Sequence, residues 1–78
     1  MSMEVKKKRY YSRIPKNVGR KIQKLRQDKD ISQVEMAEMI GVSATYVGFI
    51  EQGVRNPSIA TLDKIARVLR VKMSELLD

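Results

Sequence analysis

Between residues 44 and 49 the chain reads Ala-Thr-Tyr-Val-Gly-Phe, which brings a hydroxyl, a phenol and the single phenylalanine of the protein close together. At about 100° per residue, Ala44, Thr45, Gly48 and Phe49 share one side of a helix, with Tyr46 at the border and Val47 and Ile50 opposite. Such a face can form hydrogen bonds and offer apolar contact, but it holds no group suited to breaking a covalent bond. Histidine and cysteine are both absent, and no pair of carboxylates, lysines or tyrosines stands in a recognisable catalytic motif. The commonest metal ligands are missing for the same reason. These residues point to surface recognition and away from an enzyme, with no cofactor and no small-molecule ligand.

Charge indicates what the surface would meet. The net charge of +7 is concentrated at the front: residues 1–29 carry eleven Lys or Arg against Glu4 and Asp28, whereas residues 30–78 carry five against seven acidic side chains. A basic segment joined to a near-neutral domain suits a polyanion, with nucleic acid the first expectation and an anionic membrane surface the second. No apolar run approaches the length of a membrane span and the N-terminus has no hydrophobic signal core, so the simplest expectation is a cytoplasmic protein.

The elements that must position this face follow from spacing and caps. Residues 1–16 have no sustained period and read as a basic arm; residues 17–78 read as one small domain. Val18, Ile22 and Leu25 recur at helical spacing after Asn17, a candidate N-cap, and the helix should stop near Lys29–Asp30, because Asp tolerates a left-handed residue. Ser32-Gln33-Val34-Glu35 is a capping box that opens a second helix, ended by Gly41. Ser43 caps a third, ended by Gly53. Pro57-Ser58 opens a fourth with an apolar stripe of Ile59, Leu62, Ile65, Ala66 and Leu69, and Met73 to Leu77 forms a short fifth. The expected fold class is all-α, a bundle of five short helices.

The second helix, its three-residue link and the third helix form a helix-turn-helix. Counting from Gln33, the fifth position is the small Ala37, the ninth is Gly41 in the turn, and the fifteenth and eighteenth are the inward Val47 and Ile50. From Gly19 to Leu77 the chain resembles the phage-repressor and Cro-type (Xre) helix-turn-helix family. The resemblance rests on Ile22…Leu25-Arg26, Ser32-Gln33, Ala37, Gly41-Val42-Ser43, Ile50-Glu51-x-Gly53, Arg55-Asn56-Pro57-Ser58, Ile65-Ala66 and Leu76-Leu77. Residues 43–58 are also similar to the small controller proteins of restriction–modification systems.

That resemblance implies a five-helix, lambda-repressor-like DNA-binding domain whose third helix enters the major groove of double-stranded DNA. Ala44, Thr45, Tyr46, Gly48 and Phe49 would then form the base-reading face, with Phe49 free to pack on a thymine methyl. Alternatively, Phe49 folds back over the core edge near Val54. Arginine and glutamine are missing from this face, so DNA shape is expected to supply part of any specificity. Gln33 matches a position that clamps the DNA backbone, and Arg55 and Asn56 look like a second clamp. Ser43, Lys16 and Arg20 add further phosphate donors, and the arm residues Lys6, Lys7, Lys8, Arg9 and Arg13 would wrap the duplex or enter a minor groove. Arg26 and Glu51 correspond to a structural ion pair linking helix one to helix three.

A single short helix reads too few base pairs to select one genomic site, and the family's solution is a two-fold homodimer on a palindromic operator. Leu69, Val71, Met73, Leu76 and Leu77 are the candidate dimer interface. Arg70 and Lys72 depart from the family, standing where a turn glycine and a capping residue are usual. The expected function is a transcriptional regulator, either a repressor or a controller protein. Two other readings stay open: an antitoxin that also binds a toxin, and a protein-interaction adaptor that does not bind DNA.

Overall fold

A computed structural model of the protein describes residues 17–77. The arm residues Lys6, Lys7, Lys8, Arg9 and Arg13, and Lys16, lie outside the described residues. Within them the order is α1 Val18–Asp28, α2 Gln33–Ile40, α3 Ala44–Gln52, α4 Ile59–Leu69 and α5 Met73–Leu77. The all-α expectation holds, and no strand occurs among the described residues.

The helices start as their serines require. Ser32 Oγ accepts the Glu35 amide while Glu35 Oε1 accepts the Ser32 amide, completing the capping box. Ser43 Oγ accepts the Tyr46 amide and Ser58 Oγ the Thr61 amide. Each such cap stabilises a helix by about 1 kcal/mol. Asn17 behaves differently. It precedes α1, but at φ −90° and ψ 6° its backbone is already turned, and its side chain makes no cap bond. At α5, Lys72 has no capping oxygen in its side chain, yet its amide still donates to Glu75 Oε2 at 2.8 Å. Half of a capping box therefore survives the departure.

The first four helices end in one way. Asp30, Gly41, Gly53 and Arg70 adopt left-handed φ values of 57°, 76°, 79° and 58°. The residue after each donates its amide to a carbonyl five residues back: Ile31 to Arg26, Val42 to Ala37, Val54 to Phe49 and Val71 to Ala66. These bonds satisfy carbonyls that a helix C-terminus otherwise leaves open. Asp30 adopts the conformation expected of it. Arg70 adopts it without glycine's freedom, at a cost of about 1–2 kcal/mol for a residue bearing a Cβ.

α3 packs against α1 and α2, α2 against α4, and α5 against both α1 and α4. Ile22, Met36, Val47, Ile50, Leu62 and Ile65 meet in the middle, all essentially without solvent exposure. Two expectations are corrected here. Ile59 opens α4 but is 59% exposed, whereas Leu62 and Ile65, further along the same stripe, are buried. Leu69 and Leu76, expected at a dimer interface, are completely buried in the chain's own core. Of the five proposed interface residues only Val71, Met73 and Leu77 keep some surface.

Two contacts fix α3 against α1. Gly19 lies where the first turn of α1 crosses the end of α3, and a Cβ there would collide with the carbonyl oxygens of Ile50 and Glu51. Seven residues on, Arg26 meets Glu51 in a buried ion pair. Arg26 Nε lies 2.6 Å from Glu51 Oε2 and Nη2 3.0 Å from Oε1, while Nη1 donates to the Ile31 carbonyl at 2.7 Å. The resemblance anticipates the pair; the bond to Ile31 additionally ties down the link between α1 and α2.

Both contacts yield expected outcomes. Gly19→Ala should lower stability by about 1–3 kcal/mol through overpacking against backbone that cannot rotate away. A urea midpoint equal to the parent's would show that α1 can slide off α3 freely. Breaking the ion pair by Arg26→Met or Glu51→Leu alone should cost about 3–5 kcal/mol, and the double change less than either single one, because no uncompensated charge is then left buried. Additive losses in a double-mutant cycle would refute that.

Candidate nucleic-acid interface

α3 is only nine residues long, so its faces are set by what it packs on. Val47 and Ile50 point inward and Glu51 is held by Arg26. Thr45 is exposed, Phe49 is 40% exposed, and Gly48 between them is half-buried. Ala44 and Tyr46 are half-buried and pack partly against the core. The outward patch is therefore narrower than the helical wheel suggests: it centres on Thr45 and Phe49, and Ala44 and Tyr46 form its margins. Phe49 and its neighbour Val54, 63% exposed, do not bury one another. The ring stays at the surface.

Val54 is an exception among the residues that follow a left-handed helix end. Ile31, Val42 and Val71 pack against the core, as apolar residues at this position commonly do. Val54 does not, and it adds to the apolar surface beside Phe49. The loop that follows is tied to α3 by its backbone, since the amides of Val54 and Arg55 both donate to the Phe49 carbonyl. Arg55 and Asn56 are exposed on this loop. Arg20 is exposed on α1. Ser43 uses its oxygen to cap α3, which leaves its hydroxyl hydrogen free to donate.

Gln33 stands apart from the sequence expectation. It is half-buried, and its Nε2 donates to Glu51 Oε1 at 2.9 Å. Its amide also leans over Gly48: a Cβ on that glycine would lie 3.8 Å from Nε2 and 3.9 Å from Oε1. The side chain is thus turned along α3 and held by the ion pair. Nothing local in the sequence signals this, because Gln33 and Glu51 are 18 residues apart. Gly19 is the other residue that sequence reasoning misses, since an unremarkable helical glycine reveals a close approach only once the partner helix is placed.

Among the described residues no group of three or more Asp, Glu, His or Cys side chains is placed to hold a metal ion. No helix among them is long and apolar enough to cross a membrane. The arrangement offers an outward patch of mixed hydrogen-bonding and apolar character, with exposed Arg55 on the adjoining loop and the Gln33–Glu51–Arg26 hydrogen bonds linking α3 to α1 and α2.

Comparison with known proteins places this geometry. The family model described as helix-turn-helix matches residues 22–76. The chain is 44% identical over 59 residues to the control protein C.MunI of Mycoplasma sp, covering 74% of this chain and 80% of that one. It is 40% identical over 62 residues to the transcriptional regulator SinR of Bacillus subtilis, covering 78% of this chain but only 56% of SinR. The crystal structure of SinR, a master regulator of biofilm formation, in complex with DNA superposes with a TM-score of 0.74 at 40% identity, over 78% of this chain and 98% of that one. The restriction–modification controller protein C.AhdI of Aeromonas hydrophila gives a TM-score of 0.74 at 35% identity, over 77% of this chain and 91% of that one. With its capped α2, glycine turn and inward Val47 and Ile50, this chain belongs to the helix-turn-helix family of the Cro/C1 (Xre) type.

Proposed function

We propose that this protein is a sequence-specific regulator of transcription, a repressor or controller protein, that binds a palindromic operator in double-stranded DNA as a homodimer in the cytoplasm. The observation that carries this reading is the exposed Thr45–Phe49 face of α3, held in place by a buried ion pair. The likeness to control proteins, and to SinR solved with DNA bound, supports it.

In this reading α3 lies in the major groove. Thr45 offers a hydroxyl to a base edge and Phe49 an apolar ring to a thymine methyl, with Ala44 and Tyr46 at the rim. The amides at the N-terminus of α2, the hydroxyl of Ser43, and Arg20, Arg55 and Asn56 supply phosphate contacts that fix register without reading sequence. Lys16 and the arm cations add affinity that is independent of sequence. A two-fold dimer sets two such helices about 34 Å apart, one turn of the duplex. Val71, Met73 and Leu77, half-buried around α5, form the proposed contact between protomers. No bond is made or broken, and neither a cofactor nor a small-molecule ligand takes part.

Selection from a random duplex library tests the proposal. The wild-type chain should enrich a palindrome. Thr45→Ala should change which base is preferred at one position of each half-site, at about 1–3 kcal/mol per base pair. Arg55→Ala should weaken every sequence alike and reduce the dependence of log Kd on log salt by about one unit. If both variants lose affinity equally on all sequences, the outward face of α3 is not the reading surface.

A further inference from the structure

Three of the four glycines are required by the fold itself. Gly41 and Gly53 hold left-handed backbone at helix ends, and Gly19 lies against carbonyl oxygens that a Cβ would strike. Gly48 is different. It stands in the middle of α3, and its φ is not positive. A Cβ built on it would meet only the Gln33 amide, at 3.8 and 3.9 Å, which is ordinary van der Waals contact. Alanine therefore fits at 48 without displacing a neighbour, and it is the better helix former. Among the described residues nothing calls for glycine there, although it weakens a nine-residue helix that has little stability of its own.

The bare backbone leaves a shallow recess in the outward patch, between exposed Thr45 and Phe49 and one turn from Ala44. The Gln33 amide borders it on the α2 side, with Nε2 engaged by Glu51. The floor offers no free hydrogen-bonding group, because a mid-helix N–H and C=O are bonded along the helix. A polar group pressed onto that floor would lose its water without replacement, whereas a methyl group would lose nothing. Of the four bases only thymine carries an apolar group in the major groove, its C5 methyl. On the DNA-binding function proposed above, we infer that Gly48 is a specificity-determining residue: its missing side chain admits one thymine methyl per half-site against the backbone of α3. Phe49 then covers the same methyl from the side. The glycine serves the duplex, and the helix is less stable for it.

The test uses the full chain in duplex selection, followed by anisotropy titration of the selected site and of copies in which single thymines are replaced by uracil. That replacement removes the methyl and keeps the hydrogen-bonding edge of the base. At one position per half-site the wild-type chain should lose about threefold to fivefold in affinity. Gly48→Ala should unfold at a urea midpoint at or above the parent's and bind the selected site roughly tenfold more weakly. The uracil that weakens wild type should strengthen binding by this variant, because one methyl is removed where one has been added. A merely structural role for Gly48 gives no such reversal. Gly48→Ala that binds the thymine site as the parent does, or that weakens on every duplex with no rescue by uracil, would overturn the inference. So would a wild-type chain indifferent to uracil at every thymine, or a lower urea midpoint for the variant, since the fold would then need the glycine for itself. A wild-type chain that selects no sequence at all would instead overturn the DNA-binding function, a result distinguishable from these.

Discussion

The ion pair between Arg26 and Glu51 is the constraint on which the outward face depends. Burying two charges is costly, and well-packed apolar side chains can match or exceed such a pair in stability. Its value here lies in geometry. A nine-residue helix containing a glycine is marginal by itself, so the orientation of α3 comes from what holds it. The guanidinium reaches α3 through Glu51 and the α1–α2 link through the Ile31 carbonyl, and Glu51 in turn receives Gln33 from α2. One planar, multidentate group thereby aligns three helices. Lysine, a point charge with freely rotating donors, could not impose the same alignment.

Apolar packing complements that polar link. Gly19 lets α1 approach the last carbonyls of α3 at backbone distance, and Val47 and Ile50 fill the space below. The helix is thus clamped on its inner side along its length, while Thr45 and Phe49 remain outside. Side chains at the margin, Ala44 and Tyr46, divide their surface between core and solvent. A rigid inner side with an open outer one is what a recognition surface requires, because groups held in place before an encounter lose less entropy on binding.

Helix ends are legible in the sequence because their signals are local. A serine three residues before the amide it accepts, or a glycine or aspartate that tolerates positive φ, acts within one turn, and the structure follows those signals at Ser32, Ser43, Ser58, Asp30, Gly41 and Gly53. The inward residues of α3 are legible for the same reason, since period alone places them. Exposure at the edges is not. Ile59 has the right period but stays exposed in the first turn of α4, and Leu69 and Leu76 look like surplus apolar surface until α1 and α4 close around α5. The direction of Gln33 and the crowding at Gly19 depend on residues distant in sequence. Arg70 shows the converse: the backbone adopts the turn that the surrounding packing demands, even without the residue best suited to it.

The repeated helix endings bear on how quickly the protein matures. Each reversal of the chain is written into a few adjacent residues, and the links between helices are short, so little loop must close before the core forms. Helical domains of this kind refold in microseconds to milliseconds. Ribosomes add about 5–20 residues per second, so synthesis of the chain takes seconds. Folding therefore adds no appreciable delay, and the supply of native protein tracks its rate of translation almost directly.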